Sequence, residues 1–135
     1  MGGVLGLFPW EDISMFLATT NKKKKLLHIS YIGRVDAEEI RHELKEIPAL
    51  LEELPNGFTL VMDLERLDSM SLPSGQEIGK LMELCDKSGI EKVIRVIPDK
   101  KKDIGLQILY LMHYKHPPPV FVCERMKDVA RLLEE

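Results

Sequence analysis

The chain has 135 residues, of which 44% are hydrophobic and 30% are charged. These values fit one globular domain with its own core and leave no room for a second domain. Nineteen basic residues against 22 acidic residues give a formal net charge of −3, which argues against nucleic acid as a partner. Cys85 and Cys123 lie in separate apolar segments without CxxC spacing, which favours reduced thiols in a cytoplasmic protein.

Residues 1–11 are predicted to form an N-terminal extension, and residues 12–135 a single domain. The extension is apolar and rich in glycine, but no basic residue precedes the apolar run, which ends at Pro9, Glu11 and Asp12. Neither a signal peptide nor a membrane span is therefore expected. We expect the segment to be either a partly ordered extension or a flap over an apolar surface of the domain.

Two strand-like runs, residues 13–20 and 26–35, are joined by a polar turn that contains four lysines. This pattern predicts a β-hairpin, and lysines in such a turn either protect the sheet edge or increase solubility. From Asp36, a suitable N-cap, apolar residues recur with helical spacing. Pro48 lies inside this pattern and is expected to kink the helix or to restart it.

Three further apolar runs are short and rich in β-branched or aromatic residues: 58–62, 93–97 and 120–122. Helical patterns follow them over residues 74–87, 103–114 and 126–133, the first with Ser74 and Glu77 spaced as a capping box. Strands that alternate with helices predict a parallel sheet covered on both faces. The predicted fold class is α/β: an N-terminal hairpin, then alternating β-α units, in a mixed, mostly parallel sheet of about five strands with about four helices.

Two short motifs in this order resemble the STAS domain, the family of sulfate transporters and anti-sigma factor antagonists. The second strand ends in Gly-Arg-Val-Asp-Ala at residues 33–37, as in the family's Gly-x-Leu/Val-Asp-Ala motif, and the third strand ends in Asp63-Leu64. The similarity in element order covers residues 12–135. It implies a small α/β domain that works by binding partners, often under control of phosphorylation of a loop serine.

The loop of residues 68–75 departs from that family. STAS domains that act as phosphorylation switches carry an Asp-Ser-Ser-Gly motif at the start of the second helix, whereas this chain reads Asp-Ser-Met-Ser-Leu-Pro-Ser-Gly. Ser69, Ser71 and Ser74 are candidate phosphorylation sites, with Ser74 preferred, because a helix N-terminus stabilises the added negative charge. The alternative is that Ser71 or Ser74 only caps the helix.

A basic group is expected at the carboxyl edge of the sheet. Lys100, Lys101 and Lys102 precede a helix, and Arg34 ends the second strand at the same edge. These four residues are candidate anion-binding residues, since open α/β folds bind ligands there. The alternative is a solvated loop, because Asp99 and Asp103 flank the lysines.

The helix that begins near Ile104 has apolar residues on both sides. On a helical wheel, Ile104, Ile108, Leu111 and Met112 form one stripe, which we predict to face the sheet. The other stripe would then face away from the sheet. It would either form a partner interface or be covered by the N-terminal extension. The candidate interface residues are Leu72, Leu106, Leu109, Tyr110 and His113.

No catalytic residue, metal site or cofactor is predicted. His113 and His116 have no carboxylate or cysteine at a supporting local spacing, and no phosphate-binding glycine motif is present. We therefore expect a cytoplasmic, non-catalytic regulatory module that binds a protein, such as an anti-sigma-type kinase, and forms a homodimer. The alternative is a sensor for a small anionic, nucleotide or lipid-like ligand.

Overall fold

The computed structural model describes residues 14–134. Six strands and five α-helices follow one another along this part of the chain. In chain order they are β1 Ser14–Asn21, β2 Leu26–Val35, α1 Ala37–Leu44, α2 Ile47–Glu52, β3 Phe58–Asp63, β4 Leu67–Met70, α3 Ser74–Lys87, β5 Ile90–Val96, α4 Lys100–His113, β6 Val120–Cys123 and α5 Val129–Leu133, the last preceded by a 3₁₀ turn at Met126–Asp128.

The strands form one mixed sheet in the order β1-β2-β3-β5-β6. β1 is antiparallel to β2, as expected for a hairpin, and β2, β3, β5 and β6 are parallel to one another. The expected α/β class and the mostly parallel sheet are confirmed. Strand β4 was not predicted: it pairs in parallel with the carboxyl end of β2, beyond the point where β3 ends.

Helices α1 to α4 lie on one face of the sheet and enclose the main core. The chain does not continue α1 but begins a new helix, α2, at Ile47 with Pro48 in its first turn, as predicted. On the opposite face, α5 covers β3 and β5 through a second apolar cluster that contains Val61, Ile94 and Val129. The same face of β1 is less covered, with Met15 and Leu17 nearly half exposed. The predicted N-terminal extension, residues 1–11, lies outside the described residues.

Candidate interaction surface

The solvent-facing side of α4 holds four of the eight exposed large hydrophobic residues in the described part of the chain. Ile104, Ile108, Leu111 and Met112 are between 53% and 70% exposed and follow one another along one side of the helix. We call these four residues the α4 outer face. Soluble proteins rarely expose large apolar patches, and those that are exposed usually mark a binding surface.

The opposite side of α4 packs on the sheet through Leu106 and a polar network around Arg95. The Arg95 side chain is fully buried on β5, where its Nη1 donates to Asp103 Oδ1 at 2.8 Å and its Nη2 donates to Gln107 Oε1 at 3.2 Å. The guanidinium also lies 5.6 Å from the centre of the Tyr110 ring. A buried guanidinium requires a carboxylate and hydrogen-bond acceptors, so this network selects the side of α4 that faces the sheet.

The predicted orientation of α4 is therefore wrong, and the candidate interface residues on this helix face inward. Leu106 is buried, and Leu109 and Tyr110 pack against the main core. The Tyr110 hydroxyl donates to the Pro118 carbonyl oxygen at 2.6 Å, while His113 Nδ1 lies 2.6 Å from Glu83 Oε2. These four residues hold α4 in place. The predicted orientation was wrong because the helical wheel includes only the residues of α4 and does not include the buried charge of Arg95 on β5.

His113 also packs where α3 and α4 approach most closely. Its ring occupies the space that a Cβ atom at Gly79 would fill, so glycine at this position allows the two helices to meet. Near the ends of the same helices, Asp86 Oδ2 accepts a hydrogen bond from the Lys115 backbone N–H at 2.8 Å. The His113 side chain therefore belongs to a structural contact between helices.

The loop before α3 lies beside α4. Lys102 Nζ donates to the carbonyl oxygens of Leu67 and Asp68 at 3.0 and 3.1 Å, and Gly75 faces the Leu109 side chain. Leu72 projects from this loop and is 96% exposed. Its predicted interface role stays a prediction.

The three candidate phosphorylation serines have different environments. Ser74 is fully buried at the start of α3, its hydroxyl donates to the Val35 carbonyl oxygen at 3.3 Å, and the Ser71 hydroxyl lies 2.8 Å from it. Ser69 and Ser71 are exposed. The preference for Ser74 as the modified residue is therefore wrong for this conformation, because a kinase requires an accessible hydroxyl.

The predicted capping box of α3 is also wrong. The N-cap is Pro73, which makes no side-chain capping bond. Glu77 instead accepts hydrogen bonds from Arg41 Nε at 3.0 Å and from Lys80 Nζ at 3.1 Å, which links α3 to α1. The hydrogen bond from Lys80 and the contact with Arg41 outweigh burial and lower the pKa of Glu77 below its ordinary value.

The four candidate anion-binding residues lie on two elements at the carboxyl edge of the sheet, the end of β2 and the first turn of α4. Arg34 on β2 is the register partner of Ser69 on β4, and Lys100 and Lys101 are exposed in the first turn of α4. Asp99 caps that helix by accepting from the Lys101 backbone N–H. The Lys102 ammonium group already donates hydrogen bonds to the backbone of β4. Anion binding by the four residues stays a prediction.

Three buried groups at the centre of the domain share one environment. Tyr31 and Tyr114 each have a hydroxyl without a hydrogen-bond partner among residues 14–134, and Cys85 lies close enough to influence both. Burial raises the pKa of both tyrosines well above the ordinary value and raises the pKa of the Cys85 thiol to about 12. A thiol with such a high pKa is a poor nucleophile, so Cys85 is suited to a structural role.

Searches of known proteins give a fold but no sequence family. No family model and no curated protein matches the chain. Among solved structures, an uncharacterised DUF3478-family protein with a SpoIIAA-like fold from Shewanella loihica superposes with a TM-score of 0.68 at 14% identity, over 90% of this chain and 96% of that one. The unphosphorylated anti-sigma factor antagonist SpoIIAA superposes with a TM-score of 0.59 at 16% identity, over 86% and 94% of the two chains.

The chain has the STAS fold. An anti-sigma factor antagonist from Mycobacterium paratuberculosis also superposes on it, with a TM-score of 0.56 at 17% identity over 92% of this chain and 97% of that one. The structure differs from the sequence-based expectation in having β4 at Leu67–Met70, where a loop was expected. In residues 14–134, no helix is long and apolar enough to cross a membrane, and no group of three metal-binding side chains converges.

The burial of Arg95 and the exposure of the α4 outer face are the structural features that the sequence analysis did not predict. The signal for Arg95 was present, since a lone arginine interrupts the run Val93-Ile94-Arg95-Val96-Ile97. A charge in the middle of a buried strand requires a partner, and Asp103 and Gln107 follow at spacings that place them on one side of a helix. Recognising that pair would have predicted the correct orientation of α4.

Proposed function

We propose that this STAS-fold protein is a non-catalytic, cytoplasmic regulatory module that binds another protein through the α4 outer face and the exposed Leu72. The observation that carries the proposal is the exposure of Ile104, Ile108, Leu111 and Met112 on a well-anchored helix. The fold similarity to anti-sigma factor antagonists supports a regulatory role. The partner is expected to be a regulator of the anti-sigma kind.

The charges around the α4 outer face indicate the chemistry of the partner. Lys100 and Lys101 are exposed at one end of the helix, and Lys115 and His116 at the other. A second copy of α4 placed here in either direction would bring lysines together, which opposes self-association through this face. An apolar surface or helix flanked by Asp and Glu residues complements it, so we expect a heterologous protein partner.

Phosphorylation, if it regulates binding, is expected at Ser71 or Ser69 rather than at Ser74. Both hydroxyls are accessible, and Ser71 lies next to Leu72 and to the first turn of α3. A phosphate at Ser71 would add negative charge to the segment that Lys102 holds through the Leu67 and Asp68 carbonyl oxygens, and negative charge there would weaken the attraction for an acidic partner.

A photo-crosslinking experiment tests the proposed surface. A photoreactive amino acid is introduced at Ile108, and at the exposed Glu52 on α2 as a matched control, and crosslinked proteins are identified by mass spectrometry. The proposal predicts one protein captured at position 108 and not at position 52. Equal capture at both positions, or capture at neither, would argue against α4 as the binding surface.

A further inference from the structure

The outer edge of β1 has the properties of a strand-pairing surface. Within residues 14–134, β1 hydrogen-bonds only to β2, which leaves the backbone groups along its other side open. Its eight residues, Ser-Met-Phe-Leu-Ala-Thr-Thr-Asn, include no charge and no proline. Charged residues and prolines are the usual means by which edge strands avoid pairing with another chain.

A groove of about 470 Å³ runs along this edge. It is lined by Met15, Phe16 and Leu17 of β1 on one side and by α1 on the other. Phe16 points into the core whereas Met15 and Leu17 point to the opposite face of the sheet, so a groove that touches all three follows the edge of the strand. Among residues 14–134, none therefore occupies the space beside β1 where another strand would lie.

The α1 side of the groove is acidic. Glu38, Glu39 and Glu43 line it together with His42. The Glu38 side chain is 88% exposed and contacts Arg41 at 3.4 Å, an exposed pair that an additional cation can join. This acidic wall lies at the beginning of β1, and the lysine turn of residues 22–25 lies at its end.

We infer that the occupant of this edge is β1 of a second copy of the chain, paired antiparallel across a two-fold axis. Such a pairing places the last residue of each strand beside the first residue of the other. Lys23 and Lys24 of one copy then lie beside Glu38 and Glu43 of the other, and the symmetry forms this contact twice. Lys22 contributes less, because it already pairs with Glu53 of its own chain at 3.7 Å.

This dimer is independent of the partner surface proposed above. β1 and α1 lie at one edge of the sheet, whereas α4 packs on β5, three strands away from β1. A dimer through β1 therefore leaves both α4 outer faces open. The lysine turn then has a role beyond protecting the edge from unspecific pairing, since it directs the pairing to a strand flanked by glutamates.

Charge reversal in the full chain tests the inference, with self-association measured by sedimentation equilibrium and by native mass spectrometry. Wild type is expected to form dimers. Reversing the turn by Lys23→Glu with Lys24→Glu is expected to weaken the dimer about tenfold or more, and so is reversing α1 by Glu38→Lys with Glu43→Lys. The combined variant carries both reversals and is expected to regain the dimer.

Three outcomes would overturn the inference. The first is a monomeric wild type, which would mean that residues 1–13 or another partner occupy this edge. The second is a dimer that neither charge reversal weakens. The third is a combined variant that stays monomeric. Circular dichroism shows whether each variant is folded, and recovery of the dimer by the combined variant cannot result from misfolding. Ile108→Glu serves as the control, because it should remove partner binding while leaving the dimer intact.

Discussion

The Arg95 guanidinium lies between β5 and α4 without access to solvent, and Asp103 is the carboxylate that neutralises it. We predict that Asp103→Ala lowers the free energy of unfolding by about 3 kcal/mol, because it leaves a buried charge unpaired. Arg95→Met, which removes the charge and keeps the volume, is expected to cost much less. Urea unfolding of both variants measures this, and an Asp103→Ala loss no larger than that of Arg95→Met would contradict it.

Glu77 gives the stability of the protein a dependence on pH. Its pKa is lowered in the folded state, so its ion pairs with Lys80 and Arg41 stabilise the fold above the ordinary pKa of about 4.5. This contribution is lost as the pH falls through the lowered pKa. We predict that wild type loses more stability between neutral pH and pH about 3 than Glu77→Gln does. Urea midpoints across this range test the prediction, and parallel curves for the two proteins would refute it.

The serines before α3 are expected to differ in their tolerance of negative charge. Ser74→Glu places a carboxylate in a buried site where the hydroxyl donates to the Val35 carbonyl oxygen, and should destabilise the fold strongly. Ser71→Glu places the same group in solvent near a helix N-terminus and should leave stability nearly unchanged. Thermal unfolding of the two variants compares them. Similar melting temperatures would mean that Ser74 is accessible after all.

Among the elements, α4 has the most unusual arrangement, with one buried leucine and four exposed apolar residues. We predict that Leu106→Ala costs about 3 kcal/mol of stability, whereas Ile108→Ala costs little, because only the first leaves a cavity in the core. Chemical denaturation of both variants provides the test. A larger loss for Ile108→Ala would mean that the helix is rotated from the orientation described here.

Local sequence patterns predicted some elements better than others. The hairpin, the break at Pro48 and the α3 helix followed from turn residues, proline geometry and apolar spacing, which act over a few residues. Strand β4 was missed because Leu67–Met70 has no apolar alternation and pairs through its backbone with β2. The orientation of α4 was missed because Arg95 and Asp103 meet only after the sheet and helix have packed.

For the whole molecule, two motifs and the order of elements predicted the STAS fold. The surfaces were harder to predict, because exposure depends on which side of a helix the core selects. The predicted partner role therefore depends on different residues from those first considered: Ile104, Ile108, Leu111 and Met112 replace the four inward-facing residues of α4.

The α4 outer face is proposed to bind a protein partner. The most direct test is to purify the crosslinked partner and to measure its affinity for this protein. Calorimetry compares wild type with Ile108→Glu and with the control Glu52→Lys. We predict a loss of about tenfold or more for Ile108→Glu and unchanged affinity for the control. Equal affinities for wild type and Ile108→Glu would contradict the claim.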